Sequence, residues 1–175
     1  TPRLLRRQIA RRCIYGIDIN DIAVELARLA IWIHTFVPGL SMASLSHGLV
    51  HGNSLSGVLS VDEALAILDG DSGKASLYAD TLEASLESAS DLLQRVATAS
   101  EATAQESREA AEHYRSARAT AEPAKRLFDA AVGARLGLLE PRQYFDADSI
   151  ATATADPQVT DEVAALQPIH FPVVF

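Results

Sequence analysis

The run Cys13-Ile14-Tyr15-Gly16-Ile17-Asp18-Ile19-Asn20 constrains this chain most, because it reads as a buried strand that ends on an acidic residue and passes directly into an amphipathic helix. Strands of parallel α/β sheets are apolar on both faces, and ligands bind outside their carboxyl ends. Asp18 therefore stands where a carboxylate can meet a nucleotide ribose, with a helix-capping role as the alternative. In the helix, Ile22, Leu26, Leu29, Ala30 and Ile33 recur at helical spacing, and Glu25, Arg28 and His34 fall between them. Asn20 or Asp21 can cap its first turn.

A second signal lies one strand later. Leu45 to His51 reads as a short strand ending in the turn Gly52-Asn53-Ser54-Leu55-Ser56-Gly57. Its glycines allow close backbone approach, and Asn53 offers both a donor and an acceptor, which suits an adenine edge. The alternative for Asn53 is a turn former whose side chain bonds only local backbone. Strand, acidic residue, helix, strand and polar turn together predict an α/β nucleoside site, with the two strands parallel and joined by a crossover helix that starts near Asp21.

Three segments carry a family resemblance: Tyr15-Gly16-Ile17-Asp18-Ile19-Asn20, Ala23-Val24-Glu25-Leu26-Ala27-Arg28-Leu29-Ala30-Ile31-Trp32 and Gly52-Asn53-Ser54-Leu55. They resemble the adenine-N6-specific DNA methyltransferases of bacterial restriction-modification and BREX-like phage-defence systems. The tail Pro168-Ile169-His170-Phe171-Pro172-Val173-Val174-Phe175 is similar to the segment that in this family shortly precedes the catalytic Asn-Pro-Pro-aromatic motif. Relatives often carry Trp and Glu where this chain has Phe171 and Val174, and many use Asp where it has Asn53.

The resemblance implies a class I, Rossmann-like methyltransferase core of the α/β class, interrupted by a helical insertion. It implies S-adenosylmethionine as cofactor, with Asp18 on the ribose hydroxyls, Ile19 against the adenine face, and Asn53 with Ser54 at the adenine amino edge. It further implies DNA as the partner of the whole enzyme and no metal. The family's glycine-rich first motif is expected before Thr1 and its catalytic motif after Phe175. On that expectation the chain is an internal part of a longer enzyme, catalytically silent alone, and binds the cofactor weakly or not at all.

Charge bears on the DNA expectation. Residues 1–60 hold six Arg against Asp18, Asp21 and Glu25, whereas the whole chain carries a net charge of −8. A net acidic chain is not a phosphate-gripping surface, so contacts with DNA are expected mostly elsewhere in the enzyme. The Arg cluster before Cys13 reads as a solvated helix face or a phosphate contact. A lone cysteine excludes an internal disulfide framework, and Cys13 reads as a buried small hydrophobe. No stretch reaches the roughly 18 consecutive apolar residues of a membrane span, and the chain reads as cytoplasmic.

Residues 3–12 predict a short basic helix. From Val61 to about Gly137, the richness in Ala, Ser, Glu, Leu and Arg predicts helices over 61–68, 74–99, 101–121 and from Pro123 to near Gly137, read as an antiparallel insertion. Residues 138–175 read as a loop-rich return with one short helix near Thr160 to Leu166. His34, His47, His51, His113 and His170 are scattered and show no metal-ligand spacing. A small sheet with open edges also predicts rescue by the tail or self-association with another copy. Two rival functions fit the same residues: a methyltransferase acting on RNA or protein, and a non-enzymatic helical interaction module.

Overall fold

Asn20 marks the point where strand becomes helix: its Oδ1 accepts from the backbone N–H groups of Ile22 and Ala23, which satisfies two donors that every helix start leaves open. The computed structural model describes residues 2–38, 48–69, 76–98, 104–140 and 147–174. Among them the order is α1 (Pro2–Cys13), β1 (Gly16–Asp18), α2 (Asp21–His34), β2 (Leu49–His51), α3 (Val61–Asp69), α4 (Ser76–Thr98), α5 (Ala104–Thr120), α6 (Glu122–Arg135), α7 (Ala147–Thr154), α8 (Pro157–Leu166) and α9 (Phe171–Val174).

The expected α/β, Rossmann-like core is corrected by this order. The described residues form one two-stranded sheet of three-residue strands among nine helices, where that fold needs an open parallel sheet of several strands. The physical reason begins at the first strand. Arg, Leu, Gln and Ala in residues 3–12 are strong helix formers, and their helix runs on through Cys13, so only Gly16 to Asp18 remain extended. Cys13 is exposed, not buried as expected. The second strand is likewise short, beginning at Leu49; residues 45–47, and His47 with them, lie outside the described residues. What does form is the parallel pair itself, in register Gly16 to Leu49, Ile17 to Val50 and Asp18 to His51.

The chain divides into two compact units, Thr1–Gly52 with Asp91–Ala117, and Asn53–Ser90 with Arg118–Phe175. In the first, α2 is anchored to the sheet by the Arg28 guanidinium, which donates to the Leu49 carbonyl and pairs with Glu25. Val24 is the buried residue of α2, while Ile22, Leu26, Leu29 and Ile33 on the opposite side are 41–65% exposed. The periodic aliphatic stripe is thus real but faces away from the unit's own packing. In α1, too, Leu5 and Ile9 are exposed; Arg7 and Arg11 are buried whereas Arg3, Arg6 and Arg12 are exposed, so the arginine face is solvated only in part.

The second unit holds the hydrophobic core. Its centre is α6, where Ala124, Leu127, Phe128, Ala130, Ala131 and Val132 are all buried against α3, α7 and α8. Pro123 sits in the first turn, where its missing N–H is harmless. Gly137, at φ 73°, lies just past its end, and the N–H groups of Gly137 and Leu138 return to the carbonyls of Ala134 and Gly133. That is a glycine-closed helix C-terminus. The N-terminus of α3 is closed reciprocally: Ser60 Oγ accepts from the Glu63 N–H, and the Glu63 carboxylate accepts from the Leu59 N–H.

Candidate functional site

In the first unit the carboxyl ends of both strands meet at Asp18 and His51. Asp18 is exposed, and its Oδ1 accepts from the Asn20 N–H at 2.8 Å, which fixes the carboxylate over the start of α2. Among the described residues Oδ2 is left as an acceptor for an outside donor such as a ribose hydroxyl. Ile19 is 62% exposed and presents an apolar surface beside that carboxylate. Its carbonyl accepts from His51 Nε2 at 3.0 Å, so Nε2 carries the proton and Nδ1 is an acceptor in the neutral ring. His51 is a further residue at this strand end that sequence reasoning passes over. The sequence offers it only as a metal-ligand candidate, and its place opposite Asp18 follows from strand register, which no local pattern encodes.

Asn53 and Ser54 belong to the second unit. Asn53 is half-buried, and its Oδ1 accepts from the Leu55 N–H at 3.0 Å, the local turn bond anticipated as the alternative to base contact. One lone pair of Oδ1 and both donors of Nδ2 remain for an adenine edge. Ser54 is exposed. The backbone of Asn53 is bridged to the chain's last segment: its N–H donates to the Gln167 carbonyl at 2.7 Å, and its carbonyl accepts from the Ile169 N–H at 3.1 Å.

A further polar cluster lies deeper in this unit. His170, 3% exposed, donates from Nε2 to Asp129 Oδ1 at 2.9 Å and accepts at Nδ1 from the Val58 N–H at 3.3 Å. Lys125 Nζ holds the other Asp129 oxygen at 2.6 Å. An Asp–His pair resembles a catalytic dyad, but a general base needs one free ring nitrogen and here both are occupied. The cluster is therefore a structural clamp. The adjoining cavity of about 230 Å³, lined by Lys125, Asp129, Thr154 and Thr160, is smaller than the roughly 300–1,000 Å³ of small-molecule pockets.

Burial raises the Asp129 pKa, but the hydrogen bonds from His170 and Lys125 and their charges outweigh it, and the carboxyl falls below its ordinary 3.8. The backbone bond from Leu59 lowers Glu63 below its ordinary 4.5, with burial opposing and Arg135 assisting. Groups whose pKa is depressed in the fold stabilise it above their unfolded values and lose that contribution as pH falls through the folded ones. Urea midpoints are therefore expected to hold down to about pH 4.5 and fall below it. Asp129→Asn with Glu63→Gln should flatten that fall; an unchanged acid slope in the double variant contradicts the assignment.

Among the described residues no helix is long and apolar enough to cross a membrane, and no cluster of His, Cys, Asp and Glu has the makings of a metal site. No family model, curated protein or solved structure matches this chain.

Proposed function

We propose that this chain is the adenosine-binding part of an S-adenosylmethionine-dependent DNA adenine-N6 methyltransferase of the restriction or phage-defence kind, acting in the cytoplasm. The observation that carries the proposal is the parallel pair β1 and β2, joined through α2, with Asp18 at its carboxyl end and an unused carboxylate oxygen. In this reading Asp18 accepts from the ribose hydroxyls, Ile19 lies against the adenine face, and Asn53 with Ser54 meets the amino edge. Methyl transfer to an exocyclic amine needs alignment and carbonyl acceptors around a base turned out of its duplex. With a net charge of −8, this chain offers little to grip a phosphate backbone.

Equilibrium dialysis against labelled S-adenosylmethionine tests the role of Asp18. The intact chain is expected to bind in the millimolar range, and Asp18→Ala, by removing charge-assisted bonds of roughly 2–3 kcal/mol, should weaken binding about 30- to 150-fold. Equal affinity in a folded Asp18→Ala chain leaves Asp18 as no more than the acceptor for Asn20.

The preponderance of helix favours a second reading, a helical interaction module in which β1 and β2 only support the helices. That reading predicts no nucleotide binding in either chain.

A further inference from the structure

Four hydrogen bonds donated by backbone N–H groups tie the chain's last segment to the turn that carries Asn53. The Asn53 N–H donates to Gln167, the Ile169 N–H to Asn53, the Val58 N–H to His170 Nδ1 and the Phe171 N–H to Val58. The two strands of chain run so close that a Cβ built on Gly57 would stand 1.7 Å from the Ile169 carbonyl oxygen. A left-handed Gln167 at φ 50° turns the chain out of α8 and onto this track. Behind it, His170 is held by Asp129, Asp129 by Lys125, and the imidazole ring lies tilted by 41° against Phe128 of the buried face of α6, with centroids 5.4 Å apart. The turn takes its position from these links together with two side-chain bonds, Ser56 Oγ to the Leu166 carbonyl at 3.3 Å and Arg135 of α6 to the Gly57 carbonyl at 3.2 Å, while the bonds of Leu55 to Asn53 Oδ1 and of Ser56 Oγ to the Asn53 carbonyl stay within it.

We propose that Gln167 to Phe171 is a strap, and that His170 is a positioning residue which sets the Asn53 turn for the adenine edge through its bond to the Val58 N–H. The proposal rests on the adenosine-binding reading for what the turn meets, and on the hydrogen bonds alone for what holds it. A side chain that must present Nδ2 to one edge of a base works only if its backbone is fixed. The strap fixes that backbone from both sides of the turn, while the local bond to Leu55 fixes the side chain. His170 itself touches no ligand in this scheme.

Two substitutions separate the positioning bond from simple packing. His170→Phe keeps a ring beside Phe128 but removes the acceptor for Val58; His170→Asn places an amide oxygen near the Nδ1 position and restores it. Amide hydrogen exchange of Asn53, Leu55 and Val58 in the intact chain reads the strap directly. S-adenosylhomocysteine affinity, followed by NMR, reads its effect on binding. Exchange at the three amides is expected to rise at least about 10-fold in His170→Phe, with affinity falling about 10-fold, the value of one lost hydrogen bond, and both returning in His170→Asn. Exchange at Asn20 and Ile22, in the other unit, should not move.

Unchanged exchange in His170→Phe overturns the strap whatever the affinity does. Faster exchange with unchanged affinity, while Asp18→Ala still weakens binding, overturns the positioning role and leaves the adenosine reading standing. If neither Asp18→Ala nor His170→Phe alters affinity, the adenosine reading fails and the positioning role falls with it.

Discussion

Gly57→Ala is expected to cost more stability than any other single-methyl change in the second unit. The added Cβ would meet the Ile169 carbonyl oxygen at 1.7 Å and its carbonyl carbon at 2.4 Å, both backbone atoms that no rotamer change can move. Overpacking against side chains typically costs about 1–3 kcal/mol because they can shift. Here the strap itself must leave, taking with it the bonds of Asn53, Val58 and Phe171. A loss above about 3 kcal/mol is expected, against a total stability of roughly 5–15 kcal/mol for a domain. Urea unfolding followed by circular dichroism measures it; a loss under about 1 kcal/mol would show that the segment does not run against Gly57.

Phe128→Ala comes next. Phe128 is fully buried on α6, where it packs within the core cluster and against the His170 ring. Truncation removes its apolar burial and leaves a cavity between α6 and the clamp, and losses of about 3–5 kcal/mol are usual for such a change. Leu55→Ala is the control, since Leu55 is 93% exposed, and should stay within about 0.5 kcal/mol of the parent. Comparable losses for the two variants would contradict the placement of the core around α6.

The helices of the middle region were legible because their signals are local. Ala, Leu and Glu are strong helix formers, Pro123 fits only a first turn, and Gly137 supplies the positive φ that closes α6. The parallel pairing of the segments around Ile17 and Val50 could also be read from their apolar composition and the helix between them. The α/β class could not. The five-residue apolar run from Cys13 to Ile17 reads alike as a strand or as the end of a helix, and at Cys13 the helix formers upstream prevailed.

Periodicity located the α2 stripe at Ile22, Leu26, Leu29 and Ile33 but carried no information on which side of the helix packs, and the buried residue is Val24. The Asp18 carboxylate was legible as chemistry, whereas its neighbour His51 depends on register. The His170 clamp joins residues 41 and 112 positions apart, beyond the reach of any local pattern.

The central claim, that the carboxyl end of β1 receives an adenosine, is tested most directly by titrating the isotope-labelled chain with S-adenosylhomocysteine and following backbone amides. Saturable shifts in the millimolar range are expected at Asp18, Ile19, Asn20 and His51, all lost in Asp18→Ala. Unmoved signals at those four residues, or saturable shifts confined to α6, α7 and α8, would contradict it.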